Sequence, residues 1–220
     1  MTDDLGSGRP LLLLHGGAGP LSVRAFGGLL AEDFRVLVPT IPGFDGTPRP
    51  DHLRTVDDLA VHWLDLLAEL DLRDVTVVGS SVGGWTAARM ALEPGDRVGR
   101  VVLLDAVGID VPGQPIAMID PASLPPERAA VFAANAAVLA SYAGEPYMHD
   151  PTLRARLAGV RVPTLVVWGE SDAVVTPDYG RAYAAAIPGA EFVLVEGAGH
   201  LPQMEQPERT RALVREFAAR

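Results

Sequence analysis

Hydrophobic positions along this chain fall into two rhythms. Short, nearly unbroken apolar runs of strand length occur at Leu11–Leu14, Val36–Val38, Val75–Val78, Val101–Leu104, Leu165–Trp168 and Phe192–Val195. Such runs lack the alternation of a half-exposed strand and suit strands covered on both faces, as in a parallel sheet. Between most of them lie segments with helical spacing. Val56, Leu59, Ala60, Trp63, Leu67 and Leu70 share one stripe of a helix predicted over 56–71, and Thr55 with Asp58 has the spacing of a capping box. Further helices are predicted over Val82–Glu93, stopped by Pro94-Gly95, over Pro177–Ile187, stopped by Pro188-Gly189, and from Pro207 onward.

Strand-helix alternation with right-handed crossovers gives an α/β fold, a doubly wound and mostly parallel open sheet of about six strands. Such sheets bind ligands beyond the carboxyl ends of their strands, so chemistry is expected just after strand ends. One stretch breaks the alternation. The roughly 45 residues from Asp110 to Arg154 hold no convincing strand, but contain an Ala-rich run, Pro126–Tyr142, with helical composition. We read 110–154 as a small helical cap inserted after the fourth strand of a single domain spanning 1–220. No internal repeat or linker divides the chain.

Composition narrows the partners. Hydrophobic residues make up 48% of the chain and charged ones 21%, enough apolar material for a packed core. A net charge of −10 without any basic run argues against nucleic acid, whose affinity rests on clustered Lys and Arg. The absence of cysteine excludes disulfides and thiolate chemistry. The start, Met1-Thr2-Asp3-Asp4, is acidic where a signal peptide is basic, and Leu11–Leu14 is too short for a signal core or a span. No membrane association and a cytoplasmic location are therefore expected.

The candidate chemistry sits where the sheet argument asks for it. Gly79-Ser80-Ser81-Val82-Gly83 matches G-x-S-x-G between a β-branched run and a helical segment, the context of a nucleophile elbow. A tight strand-to-helix turn strains the central serine, and the helix that follows aims amides and a positive dipole end at a developing oxyanion. His15-Gly16-Gly17-Ala18-Gly19 follows the Leu11–Leu14 strand, and its Gly-rich turn can bring the Gly17 amide beside that of Val82. Trp168-Gly169-Glu170-Ser171-Asp172 and Gly197-Ala198-Gly199-His200 each follow a strand end, with His200 28 positions after Asp172. A serine hydroxyl is a poor nucleophile near neutrality, whereas an imidazole with a pKa near ~6.5 can take its proton and return it, and a carboxylate can fix the imidazole tautomer.

The neighbouring residues suit blander roles. The Gly-rich turn lacks the spacing of a dinucleotide or P-loop phosphate cradle. Asp105 also ends a strand and is the substitute acid for His200. Ser80 suits a turn hydrogen bond and Trp85 the core, while Tyr147, Met148 and His149 suit either a pocket wall or a cap junction. His52 and His62 have no ligand at metal spacing, and neither a metal nor an organic cofactor is expected.

The stretches LLLLHGGAG, VLVPTIPGFDGT, VTVVGSSVGGW, VRVPTLVVWGESDAVV and VEGAGHLPQMEQPE together resemble the α/β-hydrolase family, notably its small bacterial esterase, lactonase and perhydrolase-like members. The resemblance spans residues 10 to 220 and implies Ser81, Asp172 and His200 as a catalytic triad, with the Gly17 and Val82 amides as the oxyanion hole. It implies hydrolysis of a carboxylic ester or related acyl bond of a small molecule. Lactonase, perhydrolase or C–C bond hydrolase activity is the alternative within the family, and a non-catalytic ligand-binding protein is the alternative outside enzymes. Serine at the elbow disfavours the dehalogenase and epoxide hydrolase branches, which place aspartate there. Relatives open with an antiparallel pair of strands before the HG-containing strand, which here begins ten residues in. The sheet is thus expected to lack its first two strands and to leave Val36–Val38 as a bare edge able to recruit a second copy of the chain. The short cap implies a relatively open site.

Overall fold

The leucines of strand β2 (Pro10–Leu14) divide between two hydrophobic layers, Leu11 and Leu13 on one side and Leu12 and Leu14 on the other. That division is the period-two geometry of a strand covered on both faces, and it explains why the run shows no polar alternation. The same division runs through β3 (Arg35–Pro39), β4 (Val75–Ser80), β5 (Val98–Leu104) and β8 (Thr164–Gly169). The structure, a computed structural model, describes residues 1–117, 126–143 and 145–220.

One layer is covered by α1 (Leu21–Leu30) and α8 (Pro207–Ala218), through residues such as Phe26, Leu30, Val214 and Phe217. The other is covered by α2 (Val56–Glu69), α3 (Val82–Met90) and α6 (Pro177–Ala186), through residues such as Leu59, Trp63, Ala87 and Tyr183. Each fully buried leucine contributes about 1.5–3 kcal/mol relative to an exposed one, so the four from Leu11 to Leu14, all at 0% exposure, anchor both layers. The capping box is present on α2: Thr55 Oγ1 accepts from the Asp58 amide at 3.1 Å and the Asp58 carboxylate accepts from the Thr55 amide at 2.9 Å.

With β1 at Thr2–Gly6 and β9 at Glu191–Val195, the sheet has seven strands in the order β1-β3-β2-β4-β5-β8-β9, and every pairing is parallel except the first. This corrects two expectations. An antiparallel strand β1 (Thr2–Gly6) pairs along all of β3, so one of the two opening strands is present and Val36–Val38 is not a bare edge. The premise for association through that edge is removed. The polar sequence of β1 hides it from a hydrophobic reading. It is held by its backbone ladder, by Leu5 against the α1 layer, and by ion pairs from Asp3 to Arg24 at 3.1 Å and from Asp4 to Arg35 at 2.8 Å. Charged residues on a short outer strand also discourage further edge pairing.

Within 110–154, α4 (Pro126–Ala143) forms where the Ala-rich run is, and α5 (Leu153–Arg156) closes the stretch. Residues 118–125 and 144 of the expected cap lie outside the described residues. A two-residue strand β7 (His149–Asp150) pairs with β6 (Gly108–Ile109), an element too short to leave a periodic signal. Helix α4 reaches over the turn after β2 and the loop after β3: Tyr142 donates its hydroxyl to the Pro42 carbonyl at 2.9 Å, and Val138 and Leu139 lie against Gly43 and Gly17. Among the described residues no helix is long and apolar enough to cross a membrane.

Register decides where side chains meet. Leu14 lies opposite Gly79, Ser80 opposite Leu104, Leu104 opposite Val167, and Gly169 opposite Val195, so these strands end level with one another. The chain leaves β2 toward β3 on one side and later places β4 on the other, which makes the gap between β2 and β4 the topological switch point. His15, Ser81, Asp105, Asp172 and His200 all follow within a few residues of these ends.

Candidate active site

Ser81 sits at the junction of β4 and α3 with φ 56° and ψ −116°, a conformation few non-glycine residues adopt. The turn is as tight as G-x-S-x-G requires. A Cβ on Gly79 would lie 2.1 Å from the Gly83 carbonyl oxygen, and a Cβ on Gly83 would lie 2.4 Å from that of Leu14. Both glycines are therefore fixed by backbone packed against backbone. The Ser81 amide donates to the Leu104 carbonyl at 2.9 Å, pinning the elbow to β5. The Val82 amide opens α3, where no carbonyl of the helix can take it.

From that elbow a continuous hydrogen-bond chain runs outward. Ser81 Oγ lies 3.1 Å from His200 Nε2, and His200 Nδ1 lies 2.8 Å from Asp172 Oδ2. The sequence-predicted trio, separated by as much as 119 positions, is thus brought together. Asp172 Oδ1 accepts from the amides of Val174 at 2.7 Å and Val175 at 3.1 Å. Burial pushes the Asp172 carboxyl up, but the bonds from His200, Asp105 and the Val174 amide outweigh it and hold its pKa below the ordinary value. Ser81 is 6% exposed and the His200 side chain 17%, so both lie largely out of solvent.

The Gly-rich turn after β2 lies directly on the elbow. A Cβ on Gly16 would sit 2.7 Å from Ser81 Cβ, and one on Gly17 would sit 2.9 Å from Leu139 of α4. His15, which the sequence offered only as part of a motif, holds this turn. It is fully buried, its Nδ1 donates to the Gly16 carbonyl at 2.8 Å, and its Nε2 accepts from the Ile41 amide at 2.9 Å. Those partners fix the neutral tautomer. Burial lowers the His15 pKa from 6.5 to about 4.

A pH dependence follows. With the folded value depressed, the unfolded chain takes up a proton that the folded chain refuses as pH falls from 6.5 toward 4, so the stability that neutral His15 supplies is complete above 6.5 and lost across that window. The shift corresponds to about 3 kcal/mol. Urea unfolding of the wild type and His15→Gln at pH 7.5, 5.5 and 4.5 should show the gap between the two proteins closing by that order. Parallel stability curves would contradict this account.

Three further residues brace the site. Glu205, in the short helix α7 (Pro202–Glu205), accepts from the amides on both sides of His200, at Gly199 and, at 3.2 Å, Leu201. Gln203 donates to Ser80 Oγ at 3.1 Å, so Ser80 has a partner away from Ser81. Both lie in the stretch LPQME directly after the histidine, where Pro202 opening a helical turn was the available signal. Asp105 is the third. It does not take the substitute-acid position against His200 Nδ1, which Asp172 holds, but accepts from the Gly169 amide at 2.9 Å and lies beside Asp172, a carboxylate oxygen of each within 4.8 Å of the other. Trp85 is core, as expected, at 4% exposure. Met148 is buried at a junction, while Tyr147 and His149 join residues 109–116 around a cavity of about 490 Å³.

Among the described residues, Asp105, Asp172 and His200 are the group that offers three ligand atoms close together, within 4.8 Å of one another. Tetrahedral ligands at ~2.1 Å from an ion stand about 3.4 Å apart. The 2.8 Å between His200 and Asp172 suits a hydrogen bond better.

With this arrangement in place, the likeness to known proteins is specific. The sequence profile of the Alpha/beta hydrolase family matches residues 11–213, and the chain belongs to that family. A thermophilic esterase from Thermogutta terrifontis is 28% identical and superposes with a TM-score of 0.81 over 99% of this chain and 92% of its own. An AB hydrolase superfamily protein of Bacillus subtilis is 28% identical over 98% of this chain and 94% of its own. The 2-hydroxy-6-oxo-6-phenylhexa-2,4-dienoate hydrolase of Burkholderia cepacia is 26% identical over 99% of this chain and 90% of its own.

Proposed function

We propose that this protein is a serine hydrolase that cleaves a carboxylic ester of a small molecule through an acyl-enzyme. The observation that carries the reading is the hydrogen-bond chain from Ser81 Oγ through His200 to Asp172, at 3.1 and 2.8 Å, starting from a strained elbow. His200 Nε2 takes the hydroxyl proton as Ser81 Oγ adds to the substrate carbonyl. The oxyanion is met by the amides of Gly17 and Val82, the latter free at the start of its helix. His200 returns the proton to the departing alcohol. Water, deprotonated by the same imidazole, then releases the acid and restores Ser81. Asp172 keeps the Nδ1–H tautomer and stabilises the imidazolium as it forms.

The likeness to an esterase over nearly the full length of both chains supports placing esters first. The likeness to a hydrolase named for a 2-hydroxy-6-oxo-dienoate supports a second reading, the same residues acting on a substrate of that kind. A panel of p-nitrophenyl esters of graded chain length, several lactones and such a dienoate separates the two.

The reading itself is tested by incubation with a fluorophosphonate and intact-mass measurement. Attack by Ser81 Oγ on phosphorus with loss of fluoride should leave one phosphonyl group on the wild type and none on Ser81→Ala. Folded wild type that takes no adduct would favour a ligand-binding protein on this fold.

A further inference from the structure

Asp105 and Asp172 are both acidic and both buried, at 0% and 5% exposure, and a carboxylate oxygen of each lies within 4.8 Å of the other. Two ionised carboxylates offer each other only acceptors, and like charges at that separation away from water repel strongly. A proton on one of them removes the repulsion and supplies a donor. We propose that Asp105 carries it and acts as a positioning residue, a neutral acid that bridges the Gly169 amide and the Asp172 carboxylate and fixes the face that Asp172 presents to His200. This rests on the triad reading above.

The partners decide which acid holds the proton. Asp172 already accepts from the Val174 amide, the Val175 amide and His200, so its negative charge is matched by three donors. A carboxylate has about four acceptor sites, which leaves one for a further donor. Asp105 accepts from the Gly169 amide at 2.9 Å through Oδ1, whereas Oδ2 is buried and finds no donor among the described residues. An oxygen in that state is where a proton belongs, and Asp172 is its acceptor. The titratable groups facing Asp105 are Asp172 after β8, His200 after β9 and Glu205 on α7. Burial, then the Asp172 charge, then the bond to Asp172 drive the Asp105 carboxyl well above the ordinary carboxylate range. A second negative charge here would hold the imidazolium too firmly. A neutral donor orients Asp172 without adding one.

Asparagine is the matching replacement. It can accept from the Gly169 amide and donate to Asp172, and it tolerates the left-handed backbone of Asp105, φ 45°. Asp105→Asn should therefore hydrolyse p-nitrophenyl acetate with kcat/KM within about threefold of wild type and keep the acid limb of the pH–rate profile in place, whereas Asp105→Leu should lose about 10- to 100-fold, as when an orienting partner is removed from a ligating group. If Asp105 were ionised, the asparagine would remove a charge beside His200 and move the acid limb to lower pH, which would overturn the proposal. Equal losses in the two variants, or no loss in the leucine variant, would also overturn it.

Infrared spectroscopy gives a readout independent of turnover and of whether the leucine variant folds. The wild type at pH 7 should show the C=O stretch of a protonated carboxyl, shifted in D₂O and absent from Asp105→Asn. A wild type without that band, or a band that survives the substitution, rejects the assignment. Fluorophosphonate labelling of the wild type keeps the two questions apart, because a missing adduct counts against the hydrolase reading while the band still reports on Asp105.

Discussion

Replacing Ser81 with alanine should lower turnover of a reactive ester by about four to six orders of magnitude, the range found for nucleophiles of other serine triads. The side chain removed makes the hydrogen bond to His200 Nε2 and is otherwise held by the backbone of the elbow, so folding should survive. What remains are the amides of Val82 and Gly17, which can polarise a bound carbonyl for attack by water but cannot form the acyl-enzyme. Hydrolysis of p-nitrophenyl acetate by the purified variant, with its melting temperature as a control for folding, measures the effect. A loss of only about tenfold would place the nucleophile elsewhere.

Asp172→Asn should cost about four orders of magnitude in kcat with little change in structure, by the tautomer argument that applies to such triads. The amide nitrogen of an asparagine facing His200 would donate where the carboxylate accepts. The imidazole would then carry its hydrogen on Nε2, pointing at Ser81 Oγ, and could not take the serine proton. The same variant separates two roles for Asp105. Were it a substitute acid, the neighbouring carboxyl would rescue much of the activity. Since it accepts from the Gly169 amide while Asp172 holds His200 Nδ1, no rescue is expected. Retention of a tenth or more of the wild-type kcat would overturn this ordering of the acids.

How much of this was legible depends on where each element gets its stability. Strands β2, β4 and β8 carry their own evidence, because burial on two faces demands apolar residues without a break. Helix α2 does too, with a stripe and a capping box in one stretch. The elbow is legible because backbone packing at Gly79 and Gly83 leaves no room for a side chain. Strand β1 is not, since Thr2, Asp3 and Asp4 read as a solvated start and become a strand only through the ladder that β3 offers. Helix α1 is similarly hidden: Pro20 precedes it without a capping side chain, and Gly27 and Gly28 weaken its intrinsic preference. Gly27 is there for contact, as a Cβ would fall 2.9 Å from Val38.

Within the site, Ser81, Asp172 and His200 were legible because each stands at the end of a strong strand in a distinctive motif. The roles of His15, Glu205 and Asp105 were not. His15 earns its position from the Ile41 amide on a different loop, and Glu205 from two amides flanking the histidine. Asp105 meets Asp172 only because Leu104 lies opposite Val167 in the β5–β8 pairing. Such relations belong to strand register, which a single sequence states only indirectly.

The level ending of the strands also sets a timetable for synthesis. Ser81, Asp172 and His200 leave the ribosome in that order, and His200 follows β9, the last strand of the sheet in the sequence. A nascent chain that has folded through β5 already displays the serine on its elbow, yet it has no imidazole within reach until the stretch around residue 200 has emerged and docked. The hydrogen-bond chain is therefore completed last, so on the proposed function Ser81 stays without its base throughout the period when unfinished chains and their neighbours are most exposed to one another.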